Sequence, residues 1–284
     1  MKKILLLALT GFVLVGCSSA HLEAYSNEPL FTINGTTINE ADVFNSMHLS
    51  QGSLQVVRIE AQKILLDKLV AEDSDFDTRI SESLADIKES LGDNFELFLS
   101  ENGFEDEADY VDQILKDSVK MDILLTKLMD DDYDSLKSFR PREVRIVEVD
   151  EADAKAAYDL AKAGTDLEAV SKEYGKTASL YNGTPIIVSE KSSLNTDPLN
   201  ALLNSTETGL VDGAIPASSG TSHFILEVVE LDADALKDKA IESFIQDSQL
   251  AESYIAKAFV DNGFKLHDQT LYDRFRENYP DYLK

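Results

Sequence analysis

Apolar residues along much of the chain recur at steps of three and four positions, the spacing of one face of an α-helix. Three such stripes follow one another over 39–129. Their members are Val57, Ala61, Ile64, Leu65 and Leu69, then Ile80, Leu84, Ile87 and Leu91, then Val111, Ile114, Leu115, Met121 and Leu125. Gly92 and Gly103 stand where helices are expected to end. The pattern predicts a helical segment whose narrow stripes need partner helices to cover them.

Alternation of apolar and polar residues predicts strands over 30–38, 144–149 and 223–229. The first of these turns at Asn34-Gly35, a dipeptide that favours a tight hairpin. The other two are expected to pair as the first and last strands of a small α+β unit. Two short helices are predicted between them, over 152–163 and 167–174.

The tail from 233 to 262 predicts one long helix that Gly263 ends. Its apolar stripe has no mate in the small α+β unit, so we expect the tail to fold back onto the N-terminal helices. The predicted organisation is therefore a helical part over 30–138, an inserted unit over 139–231 and a returning tail over 232–284.

The N-terminus predicts export and lipidation. Lys2 and Lys3 precede an uncharged apolar run over 4–15, which is too short to span a bilayer core of about 30 Å and is typical of a signal peptide. The run leads to Gly16-Cys17, where we expect cleavage after residue 16 and acylation of the Cys17 thiol. Cys17 is the only cysteine and has no disulfide partner. The alternative is a plain secreted protein with an incidental cysteine. A lipidated tether over 17–29 would hold the protein on the extracytoplasmic face of the membrane.

Net charge and motif content limit the partners and ligands that the protein can have. The formal net charge of −27 excludes nucleic acid as a partner, because binding to it needs a basic face. Asp130, Asp132 and Asp134 imitate the start of a calcium loop, but Ser135 and Pro141 replace its glycine and its bidentate glutamate. We interpret this acidic run as a solvated linker, with calcium as the alternative. No phosphate-binding glycine loop and no zinc-type cluster is found, and no metal or cofactor is expected.

Several segments resemble one family. Residues 33–42, 64–70 and 91–99 are similar to segments of the PrsA-like parvulin-type foldase lipoproteins, and more distantly to SurA-type chaperones. Residues 144–149, 154–174 and 220–228 follow the opening strand, the helices and the closing strand of the parvulin prolyl isomerase domain. The resemblance covers nearly the whole chain.

The resemblance implies an α+β fold, in which a helical chaperone domain is built from the N- and C-terminal segments and a parvulin-like domain is inserted between them. It also implies partners, namely unfolded or newly secreted polypeptides, and a membrane bound through the lipid anchor. Homodimerisation is left open.

The implied isomerase site departs from the family. His223 matches the second of two paired histidines, with Ser222 where an aromatic residue usually stands, and Arg145 occupies the position of the first. The candidate proline pocket consists of Arg145, Leu199, Leu202, Leu203 and Phe224. Because a guanidinium stays protonated in proteins, Arg145 cannot share a proton with His223 as an imidazole would. The alternative for His223 is a strand histidine satisfied by a neighbour.

Three functions are weighed. The first is a membrane-tethered foldase or chaperone with weak or absent prolyl isomerase activity, and the second is an active prolyl isomerase. The third is a solute-binding lipoprotein, which would show repeated βαβ units. The helical pattern over 39–129 argues against the third.

Overall fold

The computed structural model describes residues 29–33, 36–48, 50–218 and 220–283. The strands are β1 (Pro29–Ile33), β2 (Thr36–Asn39), β3 (Arg142–Asp150), β4 (Asn182–Val188), β5 (Gly209–Leu210), β6 (Ile215–Pro216) and β7 (Ser222–Glu230). The helices are α1 (Glu40–His48), α2 (Gln51–Leu69), α3 (Ser74–Leu91), α4 (Phe95–Glu101), α5 (Glu107–Tyr110), α6 (Lys116–Asp131), α7 (Tyr133–Leu136), α8 (Ala154–Lys162), α9 (Leu167–Tyr174), α10 (Thr196–Asn204), α11 (Lys237–Ile245), α12 (Ser248–Asp261) and α13 (Gln269–Asn278). Short 3₁₀ turns lie at Gly92–Asn94, Lys137–Phe139 and Pro280–Leu283, with a π-helical turn at Val111–Leu115.

The chain forms two compact units. A helical unit contains the residues up to Leu125 together with Glu252–Lys284, and a sheet unit contains Thr126–Ala251. The predicted α+β class is confirmed. The sheet unit is wider than the predicted insert over 139–231, since it also includes α7 and α11. None of the helices in the described part of the chain has the length and apolar character needed to cross a membrane.

The helical unit follows the predicted stripes except at Ile64 and Ile114, which are exposed. β1 and β2 form the expected antiparallel pair, and the predicted turn at Asn34-Gly35 lies outside the described residues. Helices α3 to α6 enclose an apolar cluster that includes Phe76, Phe95 and Tyr110. The side chain of Asp73 accepts hydrogen bonds from the first backbone N–H groups of α3, which fixes where this helix begins. Gly92 ends α3 with a φ of 53°, as the sequence predicts.

The prediction of one long tail helix is wrong. α11 ends at Ile245 and α12 begins at Ser248. Between them, the side chain of Asp247 accepts hydrogen bonds from the backbone N–H groups of Gln249 and Leu250, each at 3.0 Å. This bonding pattern caps a new helix N-terminus, so the chain breaks although the apolar stripe continues.

The tail returns to the helical unit through α12, α13 and the last 3₁₀ turn. The guanidinium of Arg58 on α2 donates to both carboxylate oxygens of Glu252, at 2.9 and 3.1 Å. The hydroxyl of Tyr282 donates to the same carboxylate at 2.6 Å, and the Tyr282 side chain is almost fully buried. The Arg58 guanidinium also lies over the ring of Tyr279, 5.4 Å from its centroid. These contacts fasten the end of the described chain to α2 and α12.

Tyr282 gives the helical unit an alkaline sensitivity. Burial raises the pKa of its phenol, and the hydrogen bond to Glu252 raises it further. A raised pKa in the folded state means that the neutral phenol stabilises the fold below an unfolded pKa of about 10, and that this contribution is lost as the pH rises above that value. We expect the unfolding free energy of the parent to fall more steeply than that of Tyr282→Phe between about pH 9 and about pH 11. Urea unfolding at several pH values measures this; parallel pH profiles would contradict it.

The sheet unit has the strand order β4-β3-β7-β5, with β6 also paired to β7. All of these pairs are antiparallel, and β3 and β7 pair along almost their full length, as predicted. α8 and α9 cover one face, where they pack on Val147, Val149 and Ile225. α10 covers the other face, where Leu202 packs with Phe224. The sequence did not predict β4 or α10.

The acidic run that begins at Asp130 is helical and is not a linker, although its aspartates are exposed, as expected of a solvated segment. It spans the end of α6 and the start of α7. Lysines neutralise it: Asp130 pairs with Lys237 at 2.6 Å and Asp134 with Lys137 at 2.9 Å. The two ammonium groups also lie over the ring of Tyr133, 5.6 and 5.7 Å from its centroid. Within the described ranges, no group of three or more His, Cys, Asp or Glu residues is arranged to hold a metal ion.

β4 passes unusually close to the first turn of α9. Gly183 has a φ of +82°, and a Cβ atom there would lie 2.4 Å from the backbone carbon and oxygen of Leu167. At the middle of the same strand, Pro185 faces Arg145 of β3. β4 is therefore an edge strand in which a glycine permits close packing and a proline interrupts the row of backbone donors.

Candidate functional site

His223 lies near the start of β7, between Val149 of β3 and Pro216 of β6. Side chains alternate along a strand, so His223 shares the face of Ile225, which α8 and α9 cover. Its Nδ1 atom is buried and has no hydrogen-bond partner among the described residues. In the part of the chain that the structure describes, no imidazole or carboxylate bonds to this Nδ1 to orient the ring.

Arg145 lies on the same face but does not reach His223. It pairs across β3 and β7 with Glu227, four positions along β3 from the partner of His223, which is about 13 Å at the rise of a strand. Its guanidinium donates to the carboxylate of Asp166, and its Nε lies 3.9 Å from Glu227. The charge that the sequence places in a proline pocket is thus matched by two carboxylates at α9 and β7.

Asp166 is the ion-pair partner of Arg145, and the sequence did not predict this pairing. Its carboxylate caps α9 by accepting from the backbone N–H of Glu168 at 2.9 Å. This hydrogen bond, followed by the bond from Arg145, holds the pKa of the Asp166 carboxyl below its usual range. Arg145 therefore helps to fix the start of a helix and takes no part in an apolar pocket.

The predicted pocket leucines lie on the other face of the sheet. Leu199 and Leu202 on α10 pack with Phe224 in one apolar cluster. Leu202 and Phe224 are 0% and 1% exposed, so they form the floor of this cluster and are not open walls. The neighbouring Leu203 is also buried, and its carbonyl oxygen accepts hydrogen bonds from two arginines. The structure thus separates His223 and Arg145 from Leu199, Leu202 and Phe224 by the thickness of the sheet.

A polar network at the end of β3 and β7 was missed by the sequence analysis. The ammonium of Lys176 donates to the hydroxyl of Ser222 at 2.7 Å and pairs with Asp150 at 3.1 Å and Glu148 at 3.8 Å. Ser222 is only 5% exposed. Ser222, at the position where the resemblance implies an aromatic residue, is therefore an internal hydrogen-bond partner of Lys176. The indication of this network in the sequence is Ser222 itself, because the resemblance implies an aromatic residue at that position.

This network borders the apolar face beneath α10. The ring of Tyr181 meets Phe224 edge-on at a centroid distance of 5.9 Å, and burial, with the nearby Glu148 charge, raises the pKa of its phenol. Half-buried Tyr181, Leu194, Leu199 and Ile215 surround the buried floor. Such a surface can pack against an apolar group. Its polar neighbours are already paired with one another, and His223 is on the far face.

Cys17 lies outside the described residues. Its lipidation stays a prediction.

Taken together, the fold and site define a class: a helical unit made from both ends of the chain, with a parvulin-like sheet unit between them in the sequence. No family model matches the chain. Among curated proteins, it is 21% identical over 278 residues to foldase protein PrsA 4 of Bacillus cereus, with 94% of this chain and 96% of that protein covered. It is 26% identical over 287 residues to foldase protein PrsA of Streptococcus mutans, with 91% and 81% covered.

A crystal structure of the peptidylprolyl isomerase PrsA from Bacillus cereus is 18% identical, with a TM-score of 0.44 and coverage of 89% of this chain and all of that one. The two curated relatives confirm the resemblance to PrsA-like parvulin-type foldases.

Proposed function

We propose that the protein is a membrane-anchored extracytoplasmic foldase or chaperone that holds secreted polypeptides and has weak or absent prolyl isomerase activity. The observation that carries this proposal is the separation of His223 from the apolar face beneath α10. Isomerisation requires a site that favours the twisted amide over the planar one, across a barrier of about 18–20 kcal/mol. A histidine and an apolar surface on opposite faces of one sheet do not supply that site.

Holding an unfolded chain needs less, because apolar surface that faces solvent is sufficient. The helical unit exposes several large apolar side chains, namely Leu30, Ile33, Met47, Val56, Ile59 and Ile64. The most exposed, Ile64 at 71%, lies on α2. An open groove of about 330 Å³ between β2 and α1, which Met47 also lines, adds Ile38 and Val43 to this apolar surface. These features support a holding role for the helical unit.

The anchor rests on the sequence around Cys17. One acyl chain binds membranes only marginally, whereas two chains hold firmly, so a diacylglyceryl group on Cys17 would account for stable retention. We expect mass spectrometry of the mature protein to show a lipid-modified Cys17 at the N-terminus, and Cys17→Ser to release or misprocess the protein. An unmodified thiol or an intact signal peptide in the parent would contradict the proposal.

The holding role is tested on α2. Ile64→Ser is expected to weaken the suppression of client aggregation several-fold, because it removes exposed apolar surface without disturbing the core. Gln55→Ser is the control, since Gln55 is an exposed polar residue of the same helix. Light scattering of a refolding client measures the effect. Equal suppression by the two variants would remove α2 from the holding surface.

A second candidate, the active isomerase, is favoured by one observation: the buried Nδ1 of His223 without a partner, an arrangement that merits a functional test. We expect proline-peptide isomerisation by the parent to be slow and unchanged in His223→Ala, with client holding equal in both. Robust isomerisation that collapses in His223→Ala would establish the second candidate instead.

A further inference from the structure

Two arginines converge on one carbonyl oxygen where the chain enters β3. Arg140 Nη1 donates to the carbonyl of Leu203 at 3.3 Å, and Arg142 Nη2 donates to the same oxygen at 2.9 Å. This oxygen belongs to the last turn of α10, where positive charge is favourable. Capping the helix accounts for one donor from each guanidinium, and Nε of Arg142 is left without a partner.

Arg140 adopts an unfavourable backbone conformation. It is the one residue other than glycine with positive φ among those the structure describes, with φ 54° and ψ 58°. Left-handed backbone disfavours any side chain with a Cβ, and glycine is the usual residue at such a helix end. The side chain is directed to Glu190, whose Oε1 accepts a hydrogen bond from Nε at 2.8 Å and lies 2.8 Å from Nη2. The strained backbone at this position indicates that the guanidinium of Arg140 has a binding role.

Arg142 lacks the counter-charge that the other strand arginine has. Arg145, three positions further along β3, faces Asp166 and Glu227. In contrast, no carboxylate of the described chain lies within ion-pair distance of Arg142, and its buried Nε has no partner. Burial, followed by the nearby Arg140 charge, lowers the pKa of the Arg142 guanidinium. A half-buried cation beside a second cation is an incomplete arrangement, which an anion would complete.

A third cation lies at the same end of the sheet. The ammonium of Lys191 is 4.6 Å from the centroid of the Phe139 ring, and Phe139 adjoins Arg140 in sequence. Val188 of β4, three residues before Lys191, pairs with Arg142. Among these three cations, an ion pair is found at Arg140, whose partner is Glu190.

We propose that Arg140, Arg142 and Lys191 form a site for a single carboxylate group of a bound polypeptide. A guanidinium presents its N–H groups as a planar fork that matches a carboxylate. The strongly acidic remainder of the protein repels an extended polyanion, whereas one carboxylate needs only the short-range field, which is screened beyond about 8–10 Å. The identification of the ligand as a client polypeptide rests on the proposed function. The inference that its binding group is a carboxylate rests on the three cations.

The test compares two amide-capped peptides that differ only in one Glu or Gln, at fixed ionic strength, with the full-length mature protein. We expect the Glu peptide to bind the parent about tenfold more tightly, the range of a charged hydrogen bond. The preference should disappear in Arg142→Gln and persist in Arg79→Gln, a surface arginine that pairs with Asp75 and Asp122. No preference in the parent, or an unchanged preference in Arg142→Gln, would overturn the proposal. So would inorganic phosphate that binds the cations while the Glu peptide does not displace it.

Arg140→Gly separates binding from a structural role. Glycine relieves the left-handed backbone, so we expect a melting temperature equal to or above that of the parent, together with a weaker preference for the Glu peptide. A melting temperature several degrees lower would show that the side chain serves the fold and would overturn the proposal. Client holding is measured in parallel. If the parent does not hold clients, the proposed function fails while the Glu and Gln comparison still decides the site.

Discussion

Replacing Gly183 by Ala is expected to lower the unfolding free energy of the sheet unit by about 2–4 kcal/mol, the sum of overpacking and backbone strain. The added methyl group would lie 2.4 Å from the backbone of Leu167, and neither β4 nor the first turn of α9 can yield by moving a flexible side chain. The shift would be felt at Asp166, the cap of α9. Urea unfolding monitored by circular dichroism measures the loss, and amide hydrogen exchange in α9 locates it.

Gly213→Ala is the matched control for this substitution. Gly213 has a φ of +81°, almost that of Gly183, but a Cβ atom there would meet nothing within 4 Å. Its expected cost is only the backbone strain, about 1 kcal/mol. The difference between the two variants therefore isolates the close approach of β4 to α9. Similar losses in both would mean that this approach is looser than the structure shows.

Replacing Phe275 by Ala is expected to destabilise the helical unit by about 3–5 kcal/mol. Phe275 is 0% exposed, and its ring lies against those of Tyr279, Phe264 and Tyr282, with centroid distances of 5.0, 5.5 and 5.9 Å. Truncation leaves a cavity at the centre of these aromatic rings and weakens the attachment of α13 to the rest of the unit. Denaturant unfolding gives the free energy, and hydrogen exchange in α12 and α13 reports where protection is lost.

Tyr272→Ala on the same helix is the control for Phe275. Tyr272 is half-buried and contacts the Arg276 guanidinium, 5.6 Å from its ring centroid. We expect its removal to cost about 1 kcal/mol or less, as is usual for residues outside the core. If both variants lost the same free energy, the aromatic cluster would not be the main support of α13.

The periodicity of apolar residues predicted correctly those helices and strands that begin and end where the apolar pattern changes. The helix predicted over 167–174 is α9 itself, and the strands predicted over 144–149 and 223–229 are the centres of β3 and β7. It failed at Asp247, because a side chain can cap a new helix while the apolar stripe runs on across the break. It also failed in the acidic run from Asp130, which is helical, and where lysines from α11 and the 3₁₀ turn at Lys137–Phe139 pair with exposed aspartates.

The site was harder to predict because a motif gives residue order but not the face on which a side chain lies. His223 and Phe224 are neighbours in sequence, yet the alternation of β7 places them on opposite faces. The bond between Lys176 and Ser222 joins residues 46 positions apart, and only the pairing of β3 with β7 brings them together. Likewise, the sequence cannot show that Arg142 lacks a carboxylate partner. This is known only once the structure has assigned the ion pairs of Arg140 and Arg145.

The strand order has a consequence for self-association. At one edge of the sheet, β4 carries Pro185 at its centre, and a foreign strand laid along it would meet a position with no N–H to offer. At the other side, β5 and β6 are two residues each, too short to template a ladder. A protein that holds unfolded chains, as proposed, is surrounded by extended backbone with unpaired N–H and C=O groups. Because neither edge invites strand addition, the sheet unit can remain at high local concentration beside such chains without being drawn into their aggregates.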